Sequence, residues 1–316
     1  MEKFFTPRSM VVFGASVTKM NLGQIVLINN KQSGYPGEIY GVGSQEGDIN
    51  GVHVYTKVAD LPCVPDVAIF LTPARTVPGL MEECGRKGIT HVVIESGGFS
   101  EYSHGHHTLE EDVLAVARKY GMKVIGPNCV GVIHFDYKMM MPFAFAKEVP
   151  SGGTLGLITQ SGGVGSSYLR TVAGFGITAG KFVSIGNKLQ LDEADFLEYL
   201  IQDPETRCIA LYLEGFKRGR QFFDLARNCA KPIILQKSNR SPESAKIAQS
   251  HTTALSGLTG VKELVARYEK PVSLAMISDR EEILDLQKKQ PFPVFVSPRN
   301  LQRHLHSAGA GDACGS

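Results

Sequence analysis

Two places in the chain put glycine and serine directly after a short apolar run and directly before a helical pattern. Gly14-Ala15-Ser16 follows Met10 to Phe13, and Ser161-Gly162-Gly163 follows Leu155 to Thr159. At such a junction the free backbone N–H groups and the helix dipole favour a phosphate or another anion. A simple tight turn is the alternative at each. The first junction lacks G-x-G-x-x-G, and the second strand ends Gly41-Val42-Gly43-Ser44 with no carboxylate for ribose hydroxyls. A nucleotide or phosphate ligand is therefore expected there and NAD is disfavoured. Three more strand ends carry glycine or proline: Thr72-Pro73-Ala74, Glu95-Ser96-Gly97-Gly98-Phe99 and Gly126-Pro127-Asn128-Cys129-Val130-Gly131. Ligands of open parallel sheets bind outside such ends, so these suggest a lined crevice, with structural loops the alternative for any single one.

Four side chains could carry chemistry of their own. Glu214 ends the buried-looking run CIALYLE, where a carboxylate is costly unless paired or hydrogen-bonded. His251 lies among small residues in SHTTALSG. An imidazole so placed accepts a phosphoryl group when one nitrogen is free and the other donates to a carboxylate, although a lone histidine is more often an ordinary core or surface residue. Ser161 resembles a hydrolase nucleophile only weakly, because Thr159 stands where the first glycine of G-x-S-x-G belongs. Cys129 has no His-and-acid partner that spacing assigns, so a packed or ligand-adjacent thiol is expected. His104, His106 and His107 fall in the polar stretch SEYSHGHHTLEED and are expected to be a solvated loop, with no metal site.

The elements that must hold these groups alternate along the chain. Strands are expected at 10–13, 38–42, 66–72, 91–94 and 123–125, with helices at about 22–31, 77–87 and 109–120. The pattern breaks from Asp136 to Gly153, in a stretch rich in Met, Pro and Gly, and then resumes. The second series has strands at 155–159, 181–185, 208–213 and 232–236, and helices at about 164–173, 193–201 and 221–229. Near-continuous apolar strands separated by helices mean parallel sheets covered on both faces. The expectation is an α/β chain of two domains, 1–135 and 154–290, with a linker at 136–153 and an irregular tail at 291–316.

Composition bounds the function. The chain has 316 residues, 33 Lys+Arg and 31 Asp+Glu. A formal charge of +2 gives no electrostatic reason to expect nucleic acid. With 43% hydrophobic and 20% charged residues it is not a disordered chain. No apolar run approaches the ~20 residues of a membrane span, and the N-terminus lacks the layout of a secretory signal. None of the six cysteines forms C-x-x-C, which disfavours zinc and disulfides and fits a cytoplasmic protein.

In this order FFTPRSMVVFGAS, CGRKGITHVVIESGGFSE, GPNCVGVI, LITQSGGVG, FVSIGNKLQLDEADFLEYL, ALYLEGF and SHTTALSG resemble the nucleoside-diphosphate-forming acyl-CoA synthetases. The likeness is closest to the α-subunit portion of ADP-forming acetate–CoA ligases, relatives of succinyl-CoA synthetase, and covers about Phe5 to Gly257. It implies a Rossmann-like CoA-binding domain followed by a flavodoxin-like domain. It implies that Gly14, Ala15 and Ser16 hold CoA phosphate and that Pro73, Ser96, Gly97 and Asn128 line the CoA channel. Ser161, Gly162 and Gly163 would bind the transferred phosphate, His251 would be the transient phosphohistidine, and Glu214 would orient it. The implied reaction interconverts acyl-CoA, phosphate and NDP with carboxylate, CoA and NTP. CoA is then a substrate beside a small carboxylic acid or its acyl-CoA. Mg-nucleotide is expected on an ATP-grasp β-type partner in an oligomer. Three departures stand against the family pattern. Gly43-Ser44-Gln45-Glu46-Gly47 lacks a lysine common there, Thr253 replaces a small glycine, and the match weakens from Leu258. They motivate the alternative of a non-catalytic CoA- or nucleotide-binding regulatory module of the same fold.

Overall fold

Short runs of branched and aromatic residues, the central ones buried on both faces, form two seven-stranded sheets. The computed structural model of the chain describes residues 1–99, 103–104, 107–142, 152–174, 178–237 and 293–295. The first sheet contains β1 (Ser9–Phe13), β2 (Glu38–Val42), β3 (Gly47–Ile49), β4 (Val52–Tyr55), β5 (Val67–Phe70), β6 (His91–Ile94) and β9 (Lys123–Ile125). A two-residue hairpin, β7 (Ser103–His104) and β8 (His107–Thr108), stands apart from it. The second sheet contains β10 (Val132–His134), β11 (Met139–Met140), β12 (Leu155–Thr159), β13 (Ala179–Ser184), β14 (Cys208–Leu213), β15 (Ile233–Lys237) and β16 (Pro293–Phe295). The helices are α1 (Glu2–Phe5), α2 (Leu22–Ser33), α3 (Val77–Lys87), α4 (Leu109–Tyr120), α5 (Gly162–Gly174), α6 (Glu193–Gln202) and α7 (Gly219–Arg227).

Local sequence sets the helix ends. Asn21 caps α2 by accepting from Gln24 N at 3.0 Å. Thr108 and Glu111 form a reciprocal capping box on α4, as Asp192 and Asp195 do on α6. Gly34, Gly88 and Gly121 end α2, α3 and α4 in the left-handed conformation.

The first sheet runs β3-β4-β2-β1-β5-β6-β9, parallel except for the β3–β4 hairpin. The order in which strands are added reverses at the β1/β5 junction, from which β2 and β6 lie on opposite sides. The second sheet runs β11-β10-β13-β12-β14-β15-β16, with β10 and β11 antiparallel to their neighbours. Its reversal lies between β12 and β14. In such sheets the crevice outside the strand ends at the reversal is where ligands bind.

The chain departs from expectation in three stretches. It enters the second sheet at Val132, and Met139–Met140, inside the expected linker, is a strand paired with β10. Residues 47–55 form a hairpin on the first sheet that the sequence pattern did not mark. Pro293–Phe295, within the expected irregular tail, pairs parallel with Ile233–Leu235.

The first eight residues strap the two halves together at the opposite end from the crevices. Phe4 and Phe5 are fully buried. Phe4 meets His91 edge-on at 4.9 Å, while Phe5 stacks on Tyr199 of α6 at 4.5 Å. His134 Nδ1 hydrogen-bonds the Phe5 carbonyl at 3.2 Å. The hydroxyls of Tyr35 and Tyr137 both donate to the Pro7 carbonyl. Asp66 pairs with Lys3 at 2.9 Å and accepts from Arg8 N at 3.0 Å.

Candidate active site

The crevice of the first sheet is built by close approach of backbones. Gly14 leaves β1 with φ +90°, and a Cβ there would lie 2.6 Å from the Leu71 carbonyl oxygen at the end of β5. A Cβ on Gly43 would overlap the Ala15 carbonyl oxygen, so the β1–α2 turn rests directly on the end of β2. Only glycine permits either contact. The Asn21 side chain donates to Gly14 O at 2.7 Å and ties the turn to the start of α2. Ser16 Oγ accepts from the N–H groups of Thr18 and Lys19. The turn is thus an ordered cradle at a helix N-terminus, able to hold a phosphate.

Along the same edge, Ser96 Oγ donates to the Thr72 carbonyl at 2.5 Å and binds the ends of β5 and β6 together. Asn128 N donates to Ser96 O at 3.0 Å, and a Cβ on Gly97 would stand 3.3 Å from Asn128 Oδ1. Pro73, Gly97 and Asn128 are exposed. The sequence-derived residues Gly14, Ala15, Ser16, Pro73, Ser96, Gly97 and Asn128 therefore share one strand-end rim, which polar backbone and amide groups line.

The second crevice begins where β12 runs into α5. Ser161 O accepts from Gly165 N at 2.9 Å, and Val164 N lies 3.4 Å from Ser161 Oγ. A Cβ on Gly162 would lie 2.7 Å from Val130 Cγ1. The start of α5 therefore seats on the loop Gly126–Gly131 of the first crevice, and the two crevices share one border.

Glu214 follows β14, across the reversal from Ser161. Gln160 Oε1 accepts from the N–H groups of Glu214 at 2.9 Å and Gly215 at 3.2 Å. Lys237 Nζ donates to Glu214 O at 2.7 Å. Burial pushes the Glu214 carboxyl above its usual range; Lys188, Lys237 and Tyr212 pull it back. Gln160, which sequence reading passed over, sets the backbone of this corner. His251 and Thr253 lie outside the described residues, as do His106 and the tail beyond residue 295.

Two buried acid groups lie at the shared loop, Cys129 within it and Glu95 beside it. Cys129 is buried, its thiol is pushed up by burial, and it donates to Ile94 O at 3.3 Å, so it is a packed thiol. Glu95 is 6% exposed, and neither carboxyl oxygen has a partner among the described residues. Burial raises its pKa well above the usual value. A Cβ on Gly131 would lie 2.9 Å from Glu95 Oε1. Among the described residues, no group of three His, Cys, Asp or Glu is placed for a metal ion, and no helix is long and apolar enough to cross a membrane.

Comparison with known proteins agrees with this layout. The model of a CoA binding domain matches residues 8–135, and that of a succinyl-CoA ligase like flavodoxin domain matches residues 152–286. The second match runs past Gly257, where the motif resemblance weakens. The α subunit of ADP-forming acetate–CoA ligase I of Pyrococcus furiosus is 39% identical over 263 residues, or 81% of this chain and 56% of that protein. The ADP-forming 4-hydroxybutyrate–CoA ligase of Nitrosopumilus maritimus is 32% identical over 292 residues, 91% of this chain and 42% of that protein. The dinucleotide-forming acetyl-coenzyme A synthetase 1 of Candidatus Korarchaeum cryptofilum, solved with phosphate and ADP, superposes with a TM-score of 0.76 at 34% identity. It covers 83% of this chain, and this chain covers 57% of it. The chain thus spans little more than half the length of the first of these relatives. With a Rossmann-like CoA-binding domain leading into a flavodoxin-like one, it belongs to the nucleoside-diphosphate-forming acyl-CoA synthetase family.

Proposed function

We propose that the chain is the α-type part of an acyl-CoA synthetase that interconverts acyl-CoA, phosphate and NDP with carboxylate, CoA and NTP. The observation that carries this is the shared border of the two crevices, where Gly162 of α5 seats on Val130 beside the Asn128 rim. A thioester at that rim and a phosphate at the start of α5 would be neighbours. Domain limits of 1–135 for CoA binding and 154–290 for the phosphohistidine domain fit this assignment, with strands 132–134 and 139–140 lent to the second sheet.

A phosphate oxygen attacks the thioester carbonyl; the C–S bond breaks and CoA leaves as a thiolate that takes up a proton. A nitrogen of His251 then attacks phosphorus in the acyl phosphate and releases the carboxylate. Phosphohistidine finally passes its phosphoryl group to NDP. Gly14, Ala15 and Ser16 hold CoA phosphate, while Pro73, Ser96, Gly97 and Asn128 line the channel. Ser161, Gly162 and Gly163 hold the phosphate, and Glu214 accepts from the imidazole. Charge neutralisation at the helix starts and fixed placement supply the catalysis.

The Mg-nucleotide sits on an ATP-grasp β-type partner in an oligomer, and the acid is a small carboxylate, in keeping with the names of the relatives. A cytoplasmic setting suits the free cysteines 63, 84, 129, 208 and 229. The test is phosphorylation of the full chain by acyl-CoA with phosphate, or by NTP with the partner. An acid-labile, base-stable label is expected on His251. A label that survives in His251→Asn refutes the assignment. CoA binding by calorimetry without any label leaves the regulatory-module alternative standing.

A further inference from the structure

Lys188 occupies an expensive position. It sits just after β13 with φ +57°, in the left-handed region, and is 6% exposed. Left-handed backbone and a buried ammonium are both costs that glycine or asparagine would avoid. Its loop is fastened to the rim of the first crevice. Asn187 N donates to Pro127 O and Leu189 N to Gly126 O, each at 2.9 Å. The Asn128 amide also reaches Asn187 Oδ1 at 3.4 Å.

The side chain of Lys188 ends at the second crevice. Nζ donates to Gly215 O at 2.8 Å, one residue beyond Glu214, and to Glu193 Oε2 at 2.9 Å. Glu193, at the start of α6, is fully buried, and its other oxygen accepts from Lys217 N at 2.6 Å and Arg218 N at 3.3 Å. Lys217 Nζ returns to the carbonyls of Lys188 and Leu189. The ring of contacts is closed. It joins the loop at Gly126–Asn128 to the backbone after β14.

We propose that Lys188 is a positioning residue for the reaction: from a loop fastened to Gly126–Asn128 it holds the backbone next to Glu214, so that one buried ammonium sets both the CoA rim and the carboxylate that orients His251. This role rests on the assignment of Glu214 and His251 made above.

The charges around the pair are few. Lys188 faces Glu193 from α6, with Lys217 and Arg218 beyond it on the loop after β14, and Arg218 is itself held by Asp192 at 2.6 Å. Glu214 faces Lys188, Lys237 of β15 and Tyr212 of its own strand. Burial favours the neutral carboxyl, and Lys188 is the largest influence opposing it. Without the ammonium, Gly215 is released and Glu214 holds its proton to higher pH.

The experiment titrates the full chain carrying ¹³C at the glutamate carboxyl carbon, with Glu214→Gln identifying the resonance. The variants are Lys188→Arg and the double change Lys188→Met with Glu193→Gln, which removes the ammonium without stranding the buried carboxylate. In the double variant the Glu214 midpoint is expected to rise by about one pH unit, a ten-fold change in proton affinity. Lys188→Arg keeps it within a few tenths. The pH profile of His251 labelling is expected to move with the midpoint. An unmoved Glu214 midpoint in a folded double variant overturns the proposal, whether or not the wild-type chain takes label. A wild-type chain without label refutes the phosphohistidine assignment instead, and the midpoint then separately decides the link from Lys188 to Glu214.

Discussion

Replacing Glu95 by methionine is expected to stabilise the chain, by an amount that grows with pH. Both carboxyl oxygens are buried without a partner among the described residues, against the Cα of Gly131. A buried polar group left unsatisfied costs about 1–3 kcal/mol even when neutral. Methionine has a similar length, and its flexibility limits any overpacking. Ionisation adds a second contribution. The folded-state pKa of Glu95 is raised by burial, so the unfolded chain loses its proton first. Wild-type stability is therefore full below the ordinary glutamate range, near pH ~4.3. It declines by about 1.4 kcal/mol per pH unit above that, until the folded carboxyl itself ionises. The Glu95→Met variant has no such slope from this position. Equilibrium urea unfolding, followed by circular dichroism at pH 5 and pH 7.5, checks this. The variant should be more stable by about 1–3 kcal/mol at pH 5, and the advantage should widen at pH 7.5. An equal gap at the two pH values, or a variant less stable at both, refutes the assignment of Glu95 as an uncompensated buried acid.

Three further outcomes follow from the geometry. Labelling of His251 should fall on acidification at a pH above the ordinary glutamate range, because burial raises Glu214 and only its ionised form accepts from the imidazole; Glu214→Gln should cut the rate by about 100-fold, read by rapid-quench labelling. Gly43→Ala forces a methyl group into the Ala15 carbonyl and should weaken CoA binding about 10-fold in calorimetric titration, with about 1–3 kcal/mol lost in unfolding. Asp203→Ala leaves Lys181, 3% exposed, with Glu205 as its remaining carboxylate and should cost about 3 kcal/mol at pH 7. Burial opposes the Asp203 charge, but its hydrogen bonds from Lys181 and Thr206 prevail and lower the pKa. That stability is present above the unfolded pKa, about 3.9, and disappears as pH falls through the folded one, so urea unfolding at low pH should show a smaller deficit.

Much of this arrangement was legible because parallel strands buried on both faces leave continuous apolar runs. VVF, VAIF, HVVI and CIALYL stand out by composition alone, and the Gly, Ser or Pro within the next few residues marks the crevices. Other elements left no such trace. Val132–His134 and Met139–Met140 are three and two residues long, and only their pairing with β13 and with each other makes them strands. Period and propensity say nothing about so short a segment. Lys188, Glu193 and Lys217 were hidden for a different reason. Charged residues around a helix start are normally solvated, and here tertiary contacts bury two of the three. The reciprocal Asp192–Asp195 cap was a readable sign of that helix start, but not of what lay beneath it. His251 was marked by its small neighbours in SHTTALSG, but its role as phosphohistidine came only through family resemblance.

The strap at residues 1–8 has a consequence for the order of assembly. Its Phe5 ring lies against Tyr199 and Phe196, and its Phe5 and Pro7 carbonyls against His134 and Tyr137. During synthesis those receptors leave the ribosome more than a hundred residues after Phe5 does. The seat of this segment is therefore completed only when α6 is made, and a chain stalled before α6 would hold Phe4 against His91 while Phe5 lacked both of its ring partners.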